Sequence, residues 1–171
     1  RYLEEILSGR VNFIVSTTLS VAEHVVDADM VIGAVLLPGA LAPRLVTRDM
    51  LRTMKQASVV VDVAIDQGGC FETSHATTHT DPVYDVDGVM HYCVANMPGA
   101  VPITSTKALT NATLPYVLKL ADLGAEAAMS ADHTLARGLN VMAGHVTIEA
   151  VAEPAGLPWV SSDDLLAGVT R

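Results

Sequence analysis

The chain has 171 residues, half of them hydrophobic but only 4% aromatic, and a formal net charge of −9. That is enough apolar material for one ordinary domain or parts of two, with a core built from Val, Ala, Leu, Ile and Met, a bias that suits helices packed on a parallel sheet. Lys and Arg are scattered without a basic stripe, which argues against a nucleic-acid surface, and the longest apolar run, 30–46, is interrupted by Gly33, Pro38, Gly39 and Pro43 and is too broken to span a membrane.

In chain order, residues 1–11 (RYLEEILSGRV) read as the middle of something. The chain opens on Arg1 with no signal peptide, so a processed chain or a piece of a longer gene product is expected. Residues 11–15 read as a short strand. Residues 20–26 fit a short helix with Ser20 as a possible N-cap. Residues 30–36 read as a buried strand, with Gly39 and Pro43 marking the loop after it. Thr47 caps the next helix, whose apolar stripe is Met50, Leu51 and Met54.

Residues 58–72, SVVVDVAIDQGGCFE, are the most informative stretch. The Val-rich run 59–63 does not alternate, as in strands that a parallel sheet buries on both faces. It stops at Asp66, and Gly68 and Gly69 follow, letting backbone approach a ligand. Open α/β sheets bind ligands beyond the carboxyl ends of their strands, so Asp66 is a site candidate; its bland alternative is a cap or turn. Residues 66–88 form a long polar segment rich in Thr, His and Asp, of a length that is usually functional or holds small elements of its own. Residues 89–94 are the next strand, and Asn96 sits just beyond it, as a second candidate or as an Asx turn before Pro98.

Residues 105–124 predict a long helix from the spacing of Leu109, Ala112, Leu114, Val117, Leu118 and Ala121. Gly124 is a natural C-cap, and Pro115 predicts a kink or restart. From about residue 125 the chain reads as short helical pieces, one of them interrupted by Pro154. Strand and helix alternate up to about residue 100, which argues a doubly wound α/β sheet; the helical remainder is expected to pack separately, with the boundary near 98–104.

His75, His79, Asp81 and His91 fit no closed zinc spacing, and Cys70 and Cys93 add none; solvated loop histidines are the stronger reading. Nothing cationic flanks Cys70, so a buried structural thiol is favoured, and two cysteines make no disulfide framework, which sets a reduced cytosolic compartment as the default. Ser105, Thr106, Thr110, Asn111 and Thr113 read as capping and a solvated face. No G-x-G-x-x-G follows a strand anywhere, so a dinucleotide-binding domain here would lack its first βαβ unit.

The segments VIGAVLLPGALAPRLVT, VVVDVAIDQGGCFETS, HYCVANMPGAVPITST and ALTNATLPYVLKLA resemble the alanine dehydrogenase / NAD(P) transhydrogenase α-subunit family, as its C-terminal half. IDQGGCFETS followed by VANMPGAVP points to the alanine enzyme. The resemblance implies a Rossmann-type doubly wound parallel sheet over residues 1–102, the C-terminal part of the NAD-binding domain. Residues 103–171 would form a helical C-terminal segment of the catalytic domain. It implies NAD as cofactor, reversible oxidative deamination of L-alanine to pyruvate and ammonium, a homohexamer and a cytoplasmic location, with no nucleic-acid or membrane partner.

Carried over by motif, Asp66 looks like the catalytic aspartate at the nicotinamide end. Val63, Ala64 and Ile65 would line the cofactor, as would Val94, Ala95, Asn96 and Met97 from the next strand. Val35 and Leu36 would sit over the adenosine half and Ser16 near the adenine. The implied mechanism is hydride transfer between the alanine Cα and nicotinamide C4, followed by hydrolysis of an imine. Leu41 departs from the Lys of the family's GAKAP segment, His75 falls at a variable loop position near the cofactor, and Pro154 falls where relatives continue a helix. The family's histidine acid/base, its substrate-holding Lys and Arg and its glycine loop match nothing here, so the chain alone is expected to be inactive.

Alternatives are a non-catalytic nucleotide-binding or assembly module and a transhydrogenase-α-like protein. With strand order 3-2-1-4-5-6, the family's strand 1 would lie between the 11–15 and 30–36 strands. The isolated chain is therefore expected to leave strand edges unpaired and to be poorly folded, aggregated or dependent on a partner.

Overall fold

The computed structural model describes residues 2–7, 9, 11–37 and 40–169. The Gly39 of the expected loop and its neighbour Pro38 lie outside the described residues. Contacts divide the chain into two compact units, Arg1–Leu36 with Leu41–Met97, and Leu37–Ala40 with Pro98–Arg171.

The first unit is α/β. After a short helix α1 (Tyr2–Ile6) come α2 (Thr18–Val25), β1 (Met30–Gly33), α3 (Arg48–Leu51), β2 (Val59–Asp62), a 3-10 turn (Ile65–Gln67), β3 (Val83–Val86) and β4 (Val89–Tyr92). The sheet runs β1-β2-β4-β3, parallel from β1 through β4, with β3 antiparallel at the far edge. Met30 lies opposite Val59, and Val59 opposite Met90, so the carboxyl ends of the three parallel strands fall along one border. This is the mostly parallel α/β architecture expected.

Val60 and Val89 share a buried core with Val25, Val46, Leu51, Met54, Cys70 and Phe71, so α2 and α3 cover that sheet face. Val59 and Val61 are only half-buried, and β2 buries one face completely rather than both. Gly33 lets the loop after β2 approach β1: a Cβ there would lie 2.3 Å from Cys70 Sγ and 2.8 Å from Phe71 Cε2.

Several expectations are corrected. Residues 11–15 are exposed and form no strand, because among the described residues no neighbouring strand pairs with them. The cap of α2 is Thr17, not Ser20; Ser20 closes a capping box, its N–H donating to Thr17 Oγ1 (3.1 Å) while Thr17 N–H donates to Ser20 Oγ (2.9 Å). The strand expected over 30–36 ends at Gly33. The polar stretch 66–88, by contrast, holds a small element of its own, as one of its two readings had it: β3, joined to β4 by Asp87 (φ 54°) and Gly88 (φ 84°). Thr47 caps α3 as read, its hydroxyl accepting from Met50 N–H.

The second unit holds α4 (Pro102–Leu123), α5 (Ala125–Ala131), α6 (His133–Ala136), a two-residue-stranded hairpin of β5 (Val141–Met142) and β6 (His145–Val146), α7 (Glu149–Ala152) and α8 (Ser162–Val169). Met129, Ala136 and Leu166 form its small buried core. α4 continues through Pro115 without a restart. Asp132 caps α6 through Thr134 and Leu135 N–H and pairs with Lys119. Pro154 falls in a 3-10 turn, Glu153–Ala155, that follows α7 directly.

Candidate functional site

The site grows from the ends of β1 and β2. Asp62 closes β2 with a fully buried side chain. Beyond it Val63 N–H donates to the Gly33 carbonyl (2.8 Å), holding the exit of β2 against the end of β1. The chain then winds into the 3-10 turn Ile65–Gln67, where Gln67 and Gly69 N–H both donate to the Ala64 carbonyl (2.9 and 3.0 Å). Gly68 and Gly69 carry left-handed φ values of 91° and 80°, which only glycine adopts freely.

Between this turn and the chain leaving β1 lies a cleft of about 320 Å³, lined by Ala34, Val35, Leu36, Val63, Ala64, Asp66 and Gln67. That volume is at the lower end of the range of roughly 300–1,000 Å³ for small-molecule sites. The walls are mostly apolar, with two polar groups. The Asp66 side chain is exposed; the Gln67 side-chain carbonyl is buried and without a hydrogen-bond partner. Buried acceptors are rarely left orphaned, so Gln67 marks a place where a donor is wanted.

Of the residues singled out in the sequence, Val35, Leu36, Val63, Ala64 and Asp66 come together in this cleft. Ile65 is buried beneath the turn. Ser16 is exposed immediately before the cap of α2. Val94, Ala95, Asn96 and Met97 follow β4 on the same sheet border but do not line the cleft. Val94 is buried and bridges Thr77; Ala95 N–H donates to the Thr77 carbonyl (3.1 Å); Asn96 is left-handed (φ 55°), and its carbonyl accepts from His79 Nε2 (3.1 Å). Sequence reasoning missed Ala34, Gln67 and Asp62. The available signal for Asp62 was position: it shares the inward face of β2 with Val60, where a carboxylate is out of place.

Beside the cleft residues lies a buried polar cluster. His91 donates from Nδ1 to the Val89 carbonyl (2.9 Å), and its Nε2 shares a hydrogen bond with the Thr73 hydroxyl (2.8 Å). Burial pushes its pKa down, and the Val89 carbonyl only partly opposes this. Tyr84 is stacked between His75 (3.8 Å) and His91 (4.8 Å) and donates to the Thr73 carbonyl; burial, then its contact with Cys93, raises its phenol. Cys70 is buried, and burial followed by the charge of Asp62 pushes its thiol up to about 11, the opposite of an activated nucleophile. Among the described residues no group of three His, Cys, Asp or Glu side chains is placed to hold a metal ion, and no helix is long and apolar enough to cross a membrane.

Residues 1–149 match the family model described as "Alanine dehydrogenase/PNT, C-terminal domain". The chain belongs to that family. It is 58% identical over 164 residues to an alanine dehydrogenase of Halomonas elongata, covering 96% of this chain and 44% of the relative. It is 56% identical over 165 residues to an alanine dehydrogenase of Staphylococcus haemolyticus, again covering 96% and 44%. A solved L-alanine dehydrogenase superposes with a TM-score of 0.77 at 50% identity, over 91% of this chain and 43% of that one. The chain thus spans less than half the length of the alanine dehydrogenases it matches, and the stretch it matches is this α/β unit with most of the helical unit.

Proposed function

We propose that the cleft at the ends of β1 and β2 binds part of an NAD cofactor in an alanine dehydrogenase. The enzyme would interconvert L-alanine with pyruvate and ammonium in the cytoplasm, as a homo-oligomer, a hexamer by family resemblance. The observation that carries this reading is the grouping of Val35, Leu36, Val63, Ala64 and Asp66 around one cleft, in a chain whose family's C-terminal domain is the NAD(P)-binding one.

The residues present fit the cofactor. Apolar walls from Val35, Leu36, Val63 and Ala64 suit the flat faces of its rings, and the Asp66 carboxylate suits ribose hydroxyls, which are donors. The orphaned Gln67 carbonyl would accept a further donor. When bound, NAD supplies the hydride-accepting ring. The contribution of this chain is to orient it: the glycine turn, which begins at the buried Ile65, carries Asp66 on the cleft wall. Asp66 is positioned to take or return a proton at its carboxylate. Ile65 of the turn, Ser16 before α2, and Val94, Ala95, Asn96 and Met97 beyond β4 are assigned supporting contacts to the cofactor.

A second reading is nucleotide binding without turnover: the cleft is lined by apolar walls and Asp66, while the histidine, Lys and Arg that the family resemblance would supply match nothing among these residues. The deciding experiment uses the full product of the gene. NADH titration followed by fluorescence tests binding, and NADH oxidation dependent on both pyruvate and ammonium tests catalysis. Saturable binding with turnover supports the enzyme; binding without turnover supports the second reading; no binding overturns both.

A further inference from the structure

We infer that Asp62 is a positioning residue whose buried carboxylate staples the loop 63–74 into the shape that presents Val63, Ala64 and Asp66 to the cleft. The inference rests on the cofactor reading above and adds a residue that does not itself line the site.

Asp62 is fully buried at the end of β2. Burial of a carboxylate is tolerated only when its lone pairs are filled, and there are about four of them. Here every partner is a neutral donor from the loop that follows. Oδ1 accepts from Ala64 N–H (3.1 Å) and lies 3.5 Å from the Cys70 thiol. Oδ2 accepts from Cys70 N–H (2.9 Å), Phe71 N–H (3.4 Å) and the Ser74 hydroxyl (2.6 Å). One side chain therefore ties Ala64, at the start of the loop, to residues 70–74 at its end. The 3-10 turn with Asp66 lies between those two attachment points.

The fit leaves no slack. Gly69 sits inside the loop against the staple, where a Cβ would lie 2.5 Å from Asp62 Oδ2 and 2.9 Å from Ser74 Cβ. A core position would be filled more simply by Val or Leu, as its neighbour Val60 is. A carboxylate there has a geometric use: it fixes several backbone N–H directions at once, which apolar packing cannot do.

The test measures binding of NADH and of ADP, which lacks both the nicotinamide ring and its ribose, to the full gene product and its variants. Asp62→Asn puts an amide donor against Ala64 N–H and opens the cleft end of the staple. Ser74→Ala removes one donor at the other end and keeps the carboxylate. Val89→Ala is a control for lost stability, since Val89 is buried in the same core and makes none of the hydrogen bonds to Asp62. Asp62→Asn is expected to weaken NADH roughly tenfold, because displacement of a positioned group by a fraction of an ångström has that scale of effect. ADP should change by less than about twofold, as expected for a contact remote from the change. Ser74→Ala should shift NADH in the same direction by about threefold, the scale of one neutral hydrogen bond.

Parallel losses for NADH and ADP, matched by Val89→Ala, would make Asp62 merely structural and overturn the inference. So would wild-type NADH affinity in Asp62→Asn, or in Ser74→Ala if the first variant does not fold. A wild-type product that binds neither ligand overturns the cofactor reading, and the inference falls with it.

Discussion

Gly68 and Gly69 both occupy left-handed backbone, yet their neighbours differ. A Cβ on Gly68 would touch Leu41 Cδ2 at an ordinary 3.4 Å, whereas one on Gly69 would press on Asp62 Oδ2 at 2.5 Å. Gly68→Ala should therefore lower unfolding stability by only the left-handed penalty, about 1–2 kcal/mol. Gly69→Ala adds overpacking and should cost about 3–5 kcal/mol in denaturant unfolding. Equal losses at the two positions would show that conformation alone decides. His91 gives a second residue-scale expectation. Its folded pKa is held below the ordinary 6.5, mainly by burial. The unfolded chain then binds the proton more readily, so stability is fully present above 6.5 and is lost as pH falls through that value. Melting temperature should decline between pH 7 and 5, and His91→Gln should flatten that decline; an unchanged slope would assign the loss to other groups. Asp66 was legible at this scale because a carboxylate followed by two glycines stands out. Asp62, four residues earlier, was hidden because its role depends on donors up to twelve residues away that no local pattern reveals.

At the scale of elements, hydrophobic runs located β1, β2 and β4, but the 66–88 stretch hid β3 behind its polar composition. A turn signal was present there: Asp87-Gly88 between the short runs 83–86 (VYDV) and 89–92 (VMHY) is the pattern of a two-residue hairpin with both central residues at positive φ. The hairpin of β5 and β6 turns at Ala143 (φ 50°) and Gly144 (φ 82°), where Ala in place of Asn or Asp removed the usual cue. Residues 11–15 failed in the opposite direction. Their β-branched side chains suit a strand, but strand formation is a property of pairs, and without a neighbouring strand the segment forms no ladder; the Val15 carbonyl accepts instead from the Ser20 hydroxyl. The α4 helix was legible from its period and its end at Gly124, whose N–H donates to the Leu120 carbonyl. Pro115 within it withholds a backbone donor and crowds the preceding turn. Pro115→Ala should raise the helical circular dichroism signal and stabilise the unit by about 1–3 kcal/mol. A loss of stability instead would mean that the proline ring makes packing contacts worth more than the helix bond.

At the scale of the whole molecule, apolar surface decides the behaviour of the chain on its own. β1 is an open edge of the sheet, with Met30 and Ile32 56% and 60% exposed. Val15, in the unpaired segment before α2, is 82% exposed. None of the 22 residues of α4 is buried, although Leu109, Leu114, Val117 and Leu118 are apolar. Unpaired edges and contiguous apolar faces of this kind drive association unless covered. The net charge of −9 opposes self-association over long range, but it is screened at physiological salt within about 8 Å, while apolar contact and strand pairing act at contact distance. The 171-residue chain alone is therefore expected to sediment as a mixture of associated species and to melt broadly, with a midpoint that moves with concentration. The check is sedimentation velocity together with thermal melts at two concentrations an order of magnitude apart. A monomer with one sharp, concentration-independent transition would show that the two cores, around Val60 and around Met129, suffice to hold the fold despite its open edge. Charged substitutions should separate the surfaces: Ile32→Lys blunts the β1 edge, and Leu118→Glu interrupts the α4 face. Whichever restores a monomer identifies the surface that drives association.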